Sequence, residues 1–236
     1  MIKDKTLVAI IPVRKNSLGI KNKNLIVINK KTLLERTIIL SKKNNFIDRT
    51  IVSTNCKKMF TIAKKYKCNS KSLRPNALST KYALTIDVLK HEIKKNRLQD
   101  CYILLLQVTS PFRSQMLTNN FLNRFKKNKL YKSSASVTKF DHPHPFKVQV
   151  IKKGKLSSML NKESMVPRQK LPKVYMLNGM FYIAHVSDIL KNSSFFNNFT
   201  LPFIINEKSS LNLDNKIDLM ILNDAKKKNL IKDDYK

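Results

Sequence analysis

A chain of 236 residues, 42% hydrophobic and 26% charged, has the length and composition of one α/β domain with a small elaboration and excludes a low-complexity chain. Its formal net charge of +32 is spread over nearly every segment instead of being gathered with aromatics into a stripe or tail, which favours a generally basic surface over dedicated nucleic-acid binding. No stretch is long enough to span a membrane or serve as a signal peptide, and Cys56, Cys68 and Cys101 lack metal-ligand spacing, so a reduced, cytoplasmic compartment is expected.

Residues 7–13, Leu-Val-Ala-Ile-Ile-Pro-Val, form a continuous apolar run bounded by turn residues, the pattern of a strand buried on both faces of a parallel sheet. The loop after it, 14–25, holds Gly19, one of only three glycines in the chain. Ligands of open parallel sheets bind beyond the carboxyl ends of the strands, and a glycine there supplies positive φ or close backbone approach to a ligand. Arg14 and Lys23 add charge, and Ser17 and the asparagines add hydrogen-bonding groups, which makes a candidate phosphate-binding loop. The loop lacks the Gly-x-x-x-x-Gly-Lys-Ser/Thr pattern and the triple-glycine dinucleotide fingerprint; a solvated basic loop is the alternative reading.

Thr32-Leu33-Leu34-Glu35 has capping-box spacing and opens a helix running to about Lys43. Residues 50–54 read as a second strand, and Asn55 is a candidate cap for a helix with Met59, Phe60, Ala63 and Tyr66 on one face. A helix over about 80–95 has Tyr82, Ile86, Leu89 and Ile93 in phase; residues 102–107 form a further buried strand; Leu117, Phe121, Leu122 and Phe125 mark the next helix. Alternation of strand and helix over the first ~130 residues predicts βαβ units and a parallel sheet. The rhythm changes at about Ser133. Residues 134–138 and 147–151, with a turn at Lys153-Gly154-Lys155, read as short strands and a hairpin. A loop with Pro167 and Pro172 follows, then a strand at 180–183 and a closing helix over about 215–228, with 232–236 as a frayed tail. The section 133–175 therefore reads as an insertion packed on a single domain spanning 1–236.

Lysine is the default cation of this chain, so its arginines are more informative: Arg14, Arg74, Arg113 and Arg168 fall in loop-like stretches, where a planar fork suits phosphate or carboxylate. Five stretches stand out in order. The first joins Ile11-Pro12-Val13-Arg14, Ser17-Leu18-Gly19-Ile20 and Lys23-Asn24-Leu25, and the second is Leu73-Arg74-Pro75 with Leu78-Ser79. The third, Leu106-Gln107-Val108-Thr109-Ser110-Pro111-Phe112-Arg113, ends a buried strand. The fourth holds Arg168-Gln169, Tyr175 and Asn178-Gly179-Met180-Phe181-Tyr182-Ile183, and the fifth Asn212-Leu213-Asp214 and Asp218-Leu219.

Together these resemble the acylneuraminate cytidylyltransferases, the family that makes CMP-sialic acid and CMP-activated relatives, over most of the chain. The resemblance implies a Rossmann-like α/β nucleotidyltransferase with a mainly parallel sheet, in which 133–175 is an inserted dimerisation segment and the protein a homodimer. It implies attack by the anomeric hydroxyl of a nine-carbon α-keto acid sugar on the α-phosphate of CTP, releasing pyrophosphate with Mg²⁺ present. Arg14, Ser17 and Lys23 would surround the triphosphate, since phosphoryl transfer is mainly positioning and charge stabilisation. Asn24, Arg74 and Thr85 match nucleotide-contacting positions. Gln107, Lys147, Arg168 and Tyr182 match the sugar side, with Lys147 and Arg168 reaching the partner subunit's site, and Phe195-Phe196 matches a paired aromatic that packs on the sugar. Asp214, with Asn212, would hold Mg²⁺, and Arg14, Lys23 and Asp214 would form the catalytic set.

The sequence also departs from the family pattern. Leu18 stands where lysine is usual, Lys21 replaces a proline, Lys81 stands where aspartate is expected, Val108 replaces a proline and Asn212 replaces the first aspartate of the metal pair. Leu18 and Asn212 motivate a second reading, a diverged homologue that binds nucleotide or sugar without turnover; the charge alone motivates a third, a basic nucleic-acid-binding protein. Phe195-Phe196 taken alone reads as core, His142-Pro143-His144-Pro145 as a rigid extended loop and Asp233-Asp234 as a solvated tail.

Overall fold

The computed structural model describes residues 1–16, 19–140, 142–160 and 165–231. In chain order, β1 (Leu7–Val13) leads through the basic loop to β2 (Val27–Ile28), β3 (Lys31–Thr32) and α1 (Leu33–Lys43). Next come β4 (Arg49–Thr54), α2 (Lys57–Lys65), α3 (Thr85–Lys95), β5 (Tyr102–Leu105), α4 (Gln115–Lys127) and β6 (Ser133–Lys139). The hairpin β7 (Gln149–Lys152) and β8 (Lys155–Ser158) precedes β9 (Tyr175–His185), α5 (Val186–Asn192), β10 (Thr200–Ile205) and α6 (Lys216–Lys227).

Six strands form the central sheet in the order β10-β6-β9-β5-β1-β4. β1 runs parallel to β4 and β5, and β10 parallel to β6; β9 alone runs against its neighbours β5 and β6. The sheet is therefore mainly parallel. Residues of β1 alternate between two cores, as a period of two requires: Leu7, Ala9, Ile11 and Val13 enter one, Val8 and Ile10 the other. The first core takes Leu34 and Ile38 of α1, Met59 and Ala63 of α2 and Phe121 and Phe125 of α4; the second takes Leu89 and Ile93 of α3 and Ile189 of α5. Helices on both faces explain why β1 is apolar throughout. Full burial of each such Leu or Ile contributes about 1.5–3 kcal/mol relative to exposure.

The capping box at α1 is formed: Thr32 Oγ1 accepts from Glu35 N at 3.1 Å, and the Glu35 carboxylate accepts from Thr32 N at 2.8 Å. Two expected boundaries are corrected. The N-cap position of α2 is Cys56, which makes no side-chain cap hydrogen bond, and not Asn55, whose side-chain Oδ1 is already engaged by the Lys15 N–H at 3.0 Å. α3 starts at Thr85, not near 80, and Tyr82 is 78% exposed instead of lying on the buried face. Leu84 at the N-cap is extended, and the Thr80 carbonyl accepts from Arg14 at 2.8 Å, so 80–84 stays outside the helix.

A third correction concerns the section from 133. β6 is integral to the central sheet, paired on both sides, so only 140–174 stands outside it, with β7 and β8 as a separate two-stranded sheet. The run Ser133-Ser134-Ala135-Ser136 does not look like a buried strand, yet all four side chains are buried. Their hydroxyls are satisfied within the sheet, Ser133 by Thr200 Oγ1 at 2.7 Å and Ser134 by the Leu201 carbonyl at 2.8 Å. The expected tail, 232–236 with Asp233-Asp234, lies outside the described residues.

Candidate active site

Beyond the carboxyl ends of β1 and β5 lies a cavity of about 440 Å³. The first loop contributes Arg14, Gly19, Lys23 and Asn24; Arg74, Thr85, Gln107 and Asp214 come from four other segments. A second cavity of about 270 Å³ adjoins it, lined by Ile86, Tyr182, Phe195 and Phe196 and sharing Thr85 and Gln107 with the first. Most of the residues expected at the nucleotide and sugar sites thus line two adjoining spaces at the switch-point end of the sheet.

Each side chain is held by its element. Asn24 is buried and its amide donates to the Arg14 carbonyl at 3.0 Å, so it braces the loop as well as lining the cavity. Arg74 is buried, with its backbone N–H on the Thr54 carbonyl at 2.7 Å and its Nε on Ser79 Oγ at 3.0 Å. Burial lowers the pKa of its guanidinium, the Glu92 carboxylate opposes that shift and Arg14 adds to it; a guanidinium stays charged regardless. Lys23 Nζ donates to the Leu213 carbonyl and pairs with Asp214 Oδ1 at 2.9 Å. Burial raises the pKa of Tyr182, which keeps its phenol protonated at neutral pH.

What Gly19 supplies is close backbone approach. A Cβ placed on it would lie 1.9 Å from the Asp214 carbonyl oxygen, so the first loop is pressed against the segment before α6 instead of only against a ligand. That segment is fixed by Asp218, whose carboxylate accepts from Asp214 N at 2.7 Å and from Asn215 N at 2.8 Å in the capping box of α6. The sequence reading assigned no role to Asp218, although its spacing of three from Asn215 is the capping signal. Asn212 Nδ2 donates to Asp214 Oδ2 at 2.7 Å, while Asn212 Oδ1 is buried without a hydrogen-bond partner.

Other candidates fall elsewhere. Lys147 ends a short turn (Pro145–Lys147) in the outlying segment and lines neither cavity. Ser17 and Leu18 lie outside the described residues, as does the Arg168 side chain. Arg113 turns inward, donating to the Gln107 carbonyl and lying 5.6 Å from the Phe181 ring, and so braces the β5 terminus instead of facing a ligand. His144 is occupied by the Pro172 carbonyl at 3.0 Å and the Phe146 N–H at 3.2 Å, in keeping with a rigid loop. Phe195 belongs to the second core and also lines the second cavity, where Phe196 is 41% exposed.

A Rossmann-like α/β sheet with a cationic cavity at its switch point defines a nucleotidyltransferase fold, and the chain belongs to the cytidylyltransferase family, whose model matches residues 8–197. It is 29% identical over 218 residues to an N-acylneuraminate cytidylyltransferase of Escherichia coli O18:K1:H7, covering 90% of this chain and 50% of that protein. It is 28% identical over 217 residues to a CMP-N,N'-diacetyllegionaminic acid synthase of Legionella pneumophila, covering 90% of this chain and 92% of that protein. The chain thus spans half the length of the first relative and nearly all of the second. A solved structure of CMP:2-keto-3-deoxy-manno-octonic acid synthetase complexed with CTP is similar with a TM-score of 0.66 at 12% identity, covering 93% of this chain and 99% of that one.

Proposed function

We propose that this chain activates a nonulosonic acid: CTP and an acylneuraminate-type sugar give the CMP-sugar and diphosphate. The observation that carries this reading is the junction of two unlike cavities. One is rimmed by Arg14, Lys23 and Arg74, as a triphosphate requires; the other is walled by Tyr182, Phe195 and Phe196, as a sugar ring requires. They meet at Thr85 and Gln107, where a sugar hydroxyl and an α-phosphate can come together. In the reaction, a bond forms from the anomeric oxygen to the α-phosphorus as its hydroxyl proton passes to solvent, the bond to the β-phosphate oxygen breaks, and diphosphate leaves with the electron pair. Arg14 and Arg74 hold charge that the triphosphate carries throughout, and Lys23 trades its Asp214 partner for phosphate when nucleotide enters.

The donors at Asn212 and Asp214 fit Mg²⁺: one is an orphaned, buried amide oxygen and the other an adjacent carboxylate, both hard oxygen ligands. Bound there, Mg²⁺ would neutralise charge developing on the phosphates. Lys147 and Arg168 serve the partner subunit's site in a homodimer, and the protein works in the cytoplasm. Cys56, Cys68 and Cys101 are free, which agrees with that compartment. No helix among the described residues is long and apolar enough to cross a membrane.

Diphosphate release, assayed with CTP and a panel of sialic, legionaminic and pseudaminic acids, should require both CTP and one of the sugars. CTP should also stabilise the protein thermally more than ATP, GTP or UTP. Stabilisation by CTP with no release on any sugar would favour the reading as a binding homologue, which the uncharged Asn212 supports. Salt-sensitive binding to DNA or RNA without either effect would favour the nucleic-acid reading.

A further inference from the structure

Beside Gln107 the sheet is interrupted. β6 and β9 pair from Ser133↔Ala184 to Ala135↔Tyr182 and again from Val137↔Leu177 onward, so Ser136 alone faces residues 178–181 of β9. A bulge forfeits ladder hydrogen bonds, and here buried side chains replace them. Ser136 Oγ donates to Asn178 Oδ1 and accepts from Phe181 N at 2.9 Å. Asn178 Oδ1 also accepts from Met180 N at 3.1 Å, and its amide donates to Thr138 Oγ1 at 2.9 Å. Ser136, Thr138 and Asn178 are all buried. A closed network of this kind fixes one conformation, because any broken member is left unpaired out of reach of water.

Gly179 sits within the bulge with φ +76°, a conformation that side chains with a Cβ resist. A Cβ on Gly179 would lie 2.8 Å from Gln107 Oε1 and 3.8 Å from Asn212 Nδ2. The Gly179 backbone also acts on the Tyr182 hydroxyl, opposing the upward pKa shift that burial imposes. The bulge therefore lies against Gln107, which both cavities share, and beside Tyr182, which lines the second.

We propose that this bulge is a positioning device for the sugar acid: Ser136 and Asn178 lock it, and the bare α-carbon of Gly179 sets where the Gln107 amide and Tyr182 hydroxyl stand beside the wall the two cavities share. The proposal rests on the function proposed above and adds three positioning residues to it. They act on the sugar side and leave the nucleotide side alone.

A double-mutant cycle in the sugar-dependent release assay tests it. Gly179→Ala should raise the KM for the sugar acid about tenfold, with the KM for CTP changed less than about twofold. In a Gln107→Asn background, where the amide is withdrawn by one methylene, adding Gly179→Ala should cost the sugar KM less than about twofold more. If Gly179→Ala fails to fold, as judged by loss of a cooperative thermal transition without ligand, Ser136→Ala replaces it and should show the same sugar-selective rise. Equal rises in both KM values, or the same penalty with and without Gln107, would reduce the bulge to a structural feature and overturn the proposal. A wild-type protein inactive on every sugar would overturn the proposed function and the positioning role together, whereas an active wild type with additive penalties would overturn the positioning role alone.

Discussion

Gly19 and Asp214 belong to opposite ends of the chain, and the structure makes them neighbours. The 1.9 Å left for a Cβ on Gly19 is bounded by the Asp214 carbonyl, which is backbone and cannot rotate aside. Gly19→Ala must push the first loop away from the segment before α6, carrying Lys23 out of register with Asp214. The expected result is a fall in CTP affinity of about tenfold or more with the fold intact, read from the shift in melting temperature across a CTP titration. An unchanged titration would mean that the loop yields without consequence. The Asn212–Asp214 pair gives a second prediction at this scale. Asn212→Asp should lower the Mg²⁺ concentration needed for half-maximal turnover, because charge count sets much of an oxygen site's affinity for a hard cation. Asp214→Ala should abolish turnover yet preserve CTP-induced stabilisation, since its loss releases the Lys23 ammonium for phosphate. A folded Asp214→Ala variant with full activity would remove Asp214 from the site.

Among the elements, those with a clean period were legible in the sequence and those held by polar side chains were not. β1, α1 and α4 follow from apolar spacing, and the capping box that opens α1 formed as its spacing requires. Thr32→Ala should accordingly cost about 1 kcal/mol, measured as a lower urea midpoint with an unchanged m-value. β6 was misplaced into the outlying segment because its buried face is made of serines, whose fitness for a core depends on partners in β9 and β10 far along the chain. Tyr82 fell on a helical phase by coincidence of spacing, since nothing local reveals that Arg14 engages the Thr80 carbonyl. The cavity residues were legible for a different reason: Arg14 and Lys23 are cations in the loop after β1, whereas Arg74, Gln107 and Tyr182 were placed by the ordered resemblance to the cytidylyltransferase pattern. What sequence could not supply was their bracing, by Asn24, Arg113 and Asp218, because those contacts, though only 10, 6 and 4 residues apart, depend on loop backbone conformations that no periodicity reports.

The whole molecule leaves an apolar surface that its own fold does not cover. In the segment outside the sheet, Ile151 and Leu156 face each other across the hairpin at 76% and 71% exposure, and Met159 and Leu160 continue the exposed apolar surface. A two-stranded hairpin is marginal by itself, and exposed apolar pairs of this kind favour a self-complementary contact with a second copy. The protein is accordingly expected to scatter light at twice the chain mass at micromolar concentration, and Ile151→Lys with Leu156→Lys to scatter at once that mass. The catalytic consequence is sharper. If Lys147 serves the partner's site, a Lys147→Ala chain and an Asp214→Ala chain, each inactive as a homodimer, should complement when mixed under exchange. Half of the dimers are then mixed, and one of their two sites combines a native Asp214 with the partner subunit's native Lys147, so about one quarter of wild-type activity should return. No recovery in a mixture shown to exchange subunits would place Lys147 in the service of its own chain, and a monomer with full activity would remove the dimer from the mechanism.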